Sequence, residues 1–379
     1  MKKFLAIILA VVLTISASML PASAVSMDKL PDSAQVVEVM DNGYALIKAI
    51  VSRVHMVVGD ILGILSKDCP FCGKVHVDDA KPSEPAIPVV PTTPDVPGAW
   101  DGESEGAAKN FVTALQATAK SGATGEFVIE LSEDINLKDY DWTPIFVDSD
   151  NQVTVNGNGH TIYGLNDMLF SGTWAGKSKL IIKDLTIAYS NIVCDPDDAS
   201  KDIGVGAFVG WPQASAEVVL ENCSLVNSRV EGGHWTGGLV GIAAGYSGND
   251  GPVFEQLDII NCSVKGSTVT GKGSCGAVIG HATASDWTLV NINGAVIENN
   301  TVASTGFAFT RAGSVIGTVG VAGLEKTVNG ISHTGGTYVS ALTASGNTVT
   351  SGGSSVNRIY GRQGNSSGKL YVDGAEVAF

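Results

Sequence analysis

Beyond residue 121 the chain alternates apolar and polar residues in short runs, with Gly, Asn, Ser and Thr at the breaks. Phe127–Leu131, Val153–Val155, Leu180–Ile187 and Val218–Asn222 are β-rich runs of this kind and are read as strands. Just upstream the period changes. Ala107, Ala108, Phe111, Val112, Leu115 and Ala119 form one apolar stripe, which predicts an amphipathic helix over 104–121. A second helical stripe lies earlier. Ile47, Val51, Val54, Val58, Ile61 and Leu65 follow a heptad pattern after Asp41, a candidate cap, with Lys48, Arg53, His55 and Asp60 off the stripe. Gly59 and Gly63 weaken that helix in isolation, so something must cover its apolar face. Packing within its own small module is one cover. Homo-oligomer or envelope contact through residues 44–65 is the other.

The strand-rich part repeats. Val218-Val-Leu-Glu-Asn-Cys-Ser-Leu-Val-Asn leads to Gly237-Gly-Leu-Val-Gly241, and Leu257-Asp-Ile-Ile-Asn-Cys-Ser-Val leads to Gly276-Ala-Val-Ile-Gly280. Ala295-Val-Ile-Glu-Asn-Asn-Thr-Val302 leads to Gly313-Ser-Val-Ile-Gly317. Gly206-Ala-Phe-Val-Gly210 is an earlier copy and Arg358-Ile-Tyr-Gly361 a worn last one. Units this short cannot bury a face alone, so they must stack coil on coil. The fold expected is all-β, a right-handed parallel β-helix, with the 104–121 helix capping its first coil. Gly makes the tight corners. Asn222 and Asn261 recur where a polar ladder would satisfy a turn. Cys223 and Cys262 recur at one repeat position and would stack in the core as small apolar groups, with a disulfide as the second reading.

The first hundred residues have a different character. Lys2 and Lys3 precede an apolar run from Phe4 to Ile15, and Ala22-Ser23-Ala24 fits a signal-peptidase site, so residues 1–24 are read as a secretory signal. The protein is then secreted or extracellular, with cell-surface association open. Residues 25–79 form the small helical module. Residues 80–99 carry Pro82, Pro85, Pro88, Pro91, Pro94 and Pro97, a polyproline spacer. The repeat domain occupies 100–379.

Within the module, Cys69-Pro-Phe-Cys72-Gly-Lys-Val-His76 has the spacing of half a zinc knuckle, with Asp78, Asp79 or His55 as candidates for the fourth ligand. An exported Cys69–Cys72 disulfide and a redox pair are the other readings, and no βαβ pattern supports the last. Composition adds one exclusion. There are 46 Gly residues in 379, and 23 Lys plus Arg against 38 Asp plus Glu give a net charge of −15, the wrong sign for a nucleic-acid binder.

One segment resembles a known family. Glu130-Leu-Ser-Glu-Asp-Ile-Asn-Leu137, Trp142-Thr-Pro-Ile145, Asn156-Gly-Asn-Gly-His-Thr-Ile-Tyr-Gly-Leu165 and Trp235-Thr-Gly-Gly-Leu-Val-Gly241 are similar to the opening and repeat ending of GLUG-repeat proteins. The later copies, Gly-Ala-Val-Ile-Gly and Gly-Ser-Val-Ile-Gly, depart from that ending. The resemblance spans about 105–361. It implies a right-handed β-helix on bacterial surface or secreted proteins, some attached to peptidases or adhesins, and no particular chemistry.

Catalytic motifs are sparse. Arg229-Val-Glu231 places two charged residues on one strand face, with His234 and Trp235 across a turn, the best local group for a carbohydrate-active β-helix enzyme. A solvated ion pair beside a turn is the plainer reading. No nucleophile elbow, zinc helix or phosphate loop is present. Trp174, Trp211, Trp235 and Trp287 sit beside Gly-rich turns, where exposed rings would stack on sugars or plug loops against the coil. The reading is a non-enzymatic, adhesin-like exported protein that presents loops to an extracellular glycan or protein. A polysaccharide lyase or hydrolase is the alternative.

Overall fold

The computed structural model describes residues 103–119, 124–140, 142–147, 151–173, 178–194, 204–212, 217–244, 246–248, 251–253, 255–283, 288–306, 311–320, 325–328, 331–363 and 370–377. The expected signal, the 25–79 module with Cys69, Cys72 and His76, and the Pro-rich spacer lie outside the described residues.

The repeat domain is a parallel β-helix. Its coils follow one route, illustrated by the fourth: Glu217–Glu221 in sheet I, Ser224–Val226 in sheet II, Arg229–Gly232 in sheet III, Trp235–Gly237 in sheet IV and Val240–Ile242 in sheet V. Sheet I has nine strands, sheets II and V seven each, sheet III six and sheet IV three. Every pairing between coils is parallel. Val153, Leu180, Val218, Leu257, Val290 and Thr337 thus stand at one level of sheet I. Among the described residues hairpins leave the route at Tyr246–Gly248 with Gly251–Val253 and at Glu325–Val328 with Ile331–Thr334, and two more, Thr348–Ser351 with Ser354–Ser355 and Leu370–Val372 with Ala375–Glu376, stand at the last coils.

The core follows from the alternation. Leu180, Val218, Leu257 and Val290 from sheet I face Ile187, Leu225, Val264 and Ile297 from sheet II, all fully buried. Each inward residue stacks on its counterpart one coil away, so the interior is a set of continuous apolar columns. The helix α1 (Glu103–Thr118) closes the first coil with Ala108, Phe111 and Leu115, as expected, although it stops three residues early. Thr118 Oγ1 there donates to the Leu115 carbonyl at 2.7 Å.

From the third coil on the corners are single left-handed residues. Between sheets I and II they are Asp184, Asn222, Asn261, Gly294 and Ala341; between II and III, Tyr189, Asn227, Gly266, Asn299 and Gly346; the second coil turns through Asn158 and Gly159 together and then Gly164. Asn and Asp tolerate positive φ better than other residues with a side chain, and Gly at no cost. Asn222 donates to Asp184 Oδ1 at 2.8 Å, one rung of the ladder expected at these turns. The segment Leu180–Ile187, read as one strand, is two: Lys179–Lys183 and Thr186–Ala188 are separated by the corner at Asp184.

Just past the second corner runs an inner ladder. The backbone N–H of Ser190 donates to Ser228 Oγ at 3.1 Å, that of Ser228 to Ser267 Oγ at 3.2 Å, that of Ser267 to Asn300 Oδ1 at 2.8 Å and that of Asn300 to Asn347 Oδ1 at 2.9 Å. Each coil thus satisfies a buried donor of the coil before it.

The repeat motif has a steric cause. Gly210, Gly241, Gly280, Gly317 and Gly361 fall in one column of sheet V, one per coil. Gly237, Gly276 and Gly313 form a second column in sheet IV. The two columns lie backbone against backbone. A Cβ on Gly237 would sit 2.7 Å from the nitrogen of Gly280, one on Gly276 2.7 Å from that of Gly317, and one on Gly313 2.6 Å from that of Gly361. In these three motifs a Cβ on the first glycine would also clash with a carbonyl oxygen of its own motif, that of Val240, Ile279 or Ile316, so the residue is required to be glycine both by that carbonyl and by the last glycine of the next motif.

Candidate functional site

Among the described residues the most exposed Phe, Tyr or Trp side chain, Phe146, stands on the outer wall of sheet V. Phe146, Gly172 and Trp211 occupy one level on three consecutive coils. Phe146 is 39% exposed although Ile145 and Val147 on either side are buried, and Trp211 is half-buried. Gly172 contributes no side chain, and the edge of the Phe146 ring lies 3.7 Å from where a Cβ would be. The indole nitrogen of Trp211 is buried without a hydrogen-bond partner. The result is an aromatic shelf over a bare backbone strip. Trp142, nearby in sequence, is different. It is buried, and its indole N–H donates to the Met168 carbonyl at 2.8 Å, so it belongs to the core.

Trp235 lies in a second cluster, at the seam between sheets IV and V. Its ring is tilted against that of His234, with centroids 5.9 Å apart, and against His281 from the following coil, at 6.2 Å. His234 is exposed in the turn. One coil further along the seam, Ser274 and Thr318 hydroxyls meet at 2.7 Å. The ring nitrogens of His281 are buried and have no hydrogen-bond partner. Burial, reinforced by the positive charge of Arg311, pushes its pKa down to about 4, so the imidazole is neutral at physiological pH.

Arg229 and Glu231 share one face of sheet III, as their spacing predicts, and pair with each other. No group of three or more His, Cys, Asp or Glu side chains among the described residues has a metal-binding arrangement. Of the four tryptophans singled out in the sequence, Trp211 and Trp235 stand on separate clusters. Trp174 and Trp287 lie outside the described residues. Phe146 was missed because one Phe after a core Ile has no signal of its own. Its place beside Trp211 comes only from coil register.

A buried carboxyl lies where sheet V gives way to sheet I. Glu255 is fully buried, in register with the buried Thr288. Its carboxyl oxygens have no hydrogen-bond partner of good geometry, and the Ala244 backbone gives only partial relief. Burial pushes its pKa well above the usual carboxylate range.

The four described cysteines, Cys194, Cys223, Cys262 and Cys275, are buried free thiols. Cys223 and Cys262 stack on adjacent coils, as the repeat predicts. Cys223 donates to the Ile182 carbonyl at 3.3 Å and Cys262 to that of Leu220 at 3.4 Å.

No family model matches the chain, and no curated protein matches it. Among solved structures it is similar to a Bacteroides ovatus protein described as a putative immunoglobulin A1 protease. The identity is 13% and the TM-score 0.40, over 69% of this chain and 80% of that one. A likeness this shallow carries no argument about chemistry, and the β-helix stands on the strand register alone. No described helix is long and apolar enough to cross a membrane.

Proposed function

We propose that this is an exported, GLUG-type β-helix protein that binds an extracellular glycan on the outer wall of its early coils. The observation behind this reading is the shelf of Phe146, Gly172 and Trp211. The C–H faces of a sugar ring are apolar and flat. Two aromatic side chains flanking a strip without side chains offer them a matching surface, with backbone polar groups at the rim. The paired glycine columns give a physical purpose to the Gly-Gly-Leu-Val-Gly ending on which the family resemblance rests. In the same reading Cys69, Cys72 and His76 hold zinc in a module that tethers or oligomerises the chain.

The test is affinity electrophoresis of the full chain through a panel of neutral and acidic polysaccharides. Retardation by at least one glycan is expected, with affinity about tenfold lower in Phe146→Ala and Trp211→Ala, the loss of one stacked ring. Melting curves check that both variants remain folded. Binding to no glycan, or binding equal in folded variants and wild type, overturns the reading.

A further inference from the structure

The strongest unassigned chemistry is the pair of stacked thiols. Ser224 pairs with Ser263 and Glu221 with Ile260, so Cys223 and Cys262 stand directly opposite each other on neighbouring parallel coils. Parallel neighbours are about 4.8 Å apart, inside the Cα range that disulfides tolerate. Each thiol donates to a backbone carbonyl of the coil before it, Cys223 to Ile182 and Cys262 to Leu220. We propose that Cys223 and Cys262 are a modification site, the reduced form of a disulfide that staples the fourth coil to the fifth.

The two thiols are both buried and free. Burial raises the pKa of Cys223, and its neighbour Cys262 adds to the rise. Either sulfur can attack first with the same product, and the route through Cys262 is one of the two. The oxidant is an exchanging disulfide, either a small-molecule one or that of a thiol oxidoreductase. The Cys262 thiolate attacks one sulfur of that disulfide and expels the other as a thiolate, leaving a mixed disulfide. The Cys223 thiol then loses its proton and attacks the Cys262 sulfur, expelling the second thiolate. Two electrons pass to the oxidant, and the protons of the two cysteines end on its two departing thiols. Both sulfurs are buried in the folded coil, so the exchange proceeds while the coils are closing or transiently open. Cys275, also buried, has no such partner opposite it: its register neighbours are Thr236 and Ala312. This inference is independent of the glycan reading.

The experiment uses the full chain. It is refolded from denaturant in a mixture of reduced and oxidised glutathione, alkylated, digested and mapped by mass spectrometry. The expected product is one peptide pair linking Cys223 to Cys262, lighter by two hydrogens than the reduced pair. Its thermal midpoint should lie roughly 5 °C above that of the reduced protein, because the staple closes a full coil. Cys223→Ala should fold, leave Cys262 alkylated and show no redox-dependent midpoint. The double variant Cys223→Ala/Cys262→Ala checks that lost packing does not mimic the effect. Full alkylation of both cysteines after oxidative refolding, or linkage of either to another cysteine, overturns the proposal.

Discussion

Gly280 lies so close to Thr236 of the preceding coil that a methyl group on its α-carbon would sit 2.5 Å from the Thr236 nitrogen. Neither backbone can yield, because each is held in a parallel ladder on both sides. Gly280→Ala is expected to cost about 3 kcal/mol or more, as an overpacked contact without a rotamer to relieve it. Gly353 is a contrast. Its φ is +78° but nothing lies within 4 Å, so Gly353→Ala should cost only about 1 kcal/mol, from backbone conformation alone. Gly106, helical with open space around it, should become more stable as Ala by about 0.5–1 kcal/mol. Denaturant titration of the three variants checks the order. Equal losses at Gly280 and Gly353 would contradict the two-column account.

Removing the Asn300 side chain takes an acceptor from the Ser267 N–H and donors from the Val264 and Asn347 oxygens, at 2.8, 2.7 and 3.0 Å. Asn300→Ala is expected to destabilise by about 2–3 kcal/mol, since the Ser267 N–H and the Val264 carbonyl lose a buried partner, while Asn347 Oδ1 keeps the Asn300 backbone N–H. Amide exchange should show the damage first at Ser267, whose N–H loses its partner. Unchanged protection there would mean that another acceptor has moved in.

Glu255 sets an alkaline limit. Its folded pKa is raised, so the folded state holds the proton to higher pH than the unfolded chain does. Its stability is full below the unfolded value of about 4.3 and falls as pH rises toward the folded value. Glu255→Gln should abolish that fall. Melting midpoints of wild type and variant, measured across the range, should converge at low pH and diverge above it. Parallel curves throughout would show that the carboxyl is satisfied when ionised.

His281 works in the opposite direction. Its folded pKa is lowered to about 4, so its contribution is present above the unfolded value near 6.5 and is lost as pH falls from there toward 4. His281→Gln should flatten this acid limb and leave the alkaline one in place. An unaltered acid limb in the variant would assign the loss to other groups.

The fold was legible where the physical cause repeats at every coil. Gly210, Gly241, Gly280, Gly317 and Gly361 are spaced unevenly in sequence, yet each meets the same steric demand, so the column appears as a motif. Asn222 and Asn261 were legible as corners for the same reason. Asp184 was not, because apolar residues continue on both sides and only the backbone reverses. The site was less accessible than the fold. Trp235 reads as a ring beside a turn, and nothing local announces that His281 packs on it from the next coil. Phe146 and Trp211 become neighbours only through the register of intervening Gly172. Pairing within a strand can be read from spacing, whereas pairing between coils depends on how much chain each loop takes up.

The two glycine columns also bear on how such a chain changes length over generations. Where sheets IV and V meet, the glycine columns pack main chain on main chain at every level, while the side chains beside them differ from coil to coil, Trp235 with His281 at one level and Ser274 with Thr318 at the next. A recombination event that duplicated or excised one whole coil, such as the stretch from Glu255 to Ala282, would bring together main-chain surfaces that already match. Along the glycine columns the molecule resembles a ruler whose graduations are interchangeable, and its length is open to adjustment by unequal crossing-over without redesigning a core.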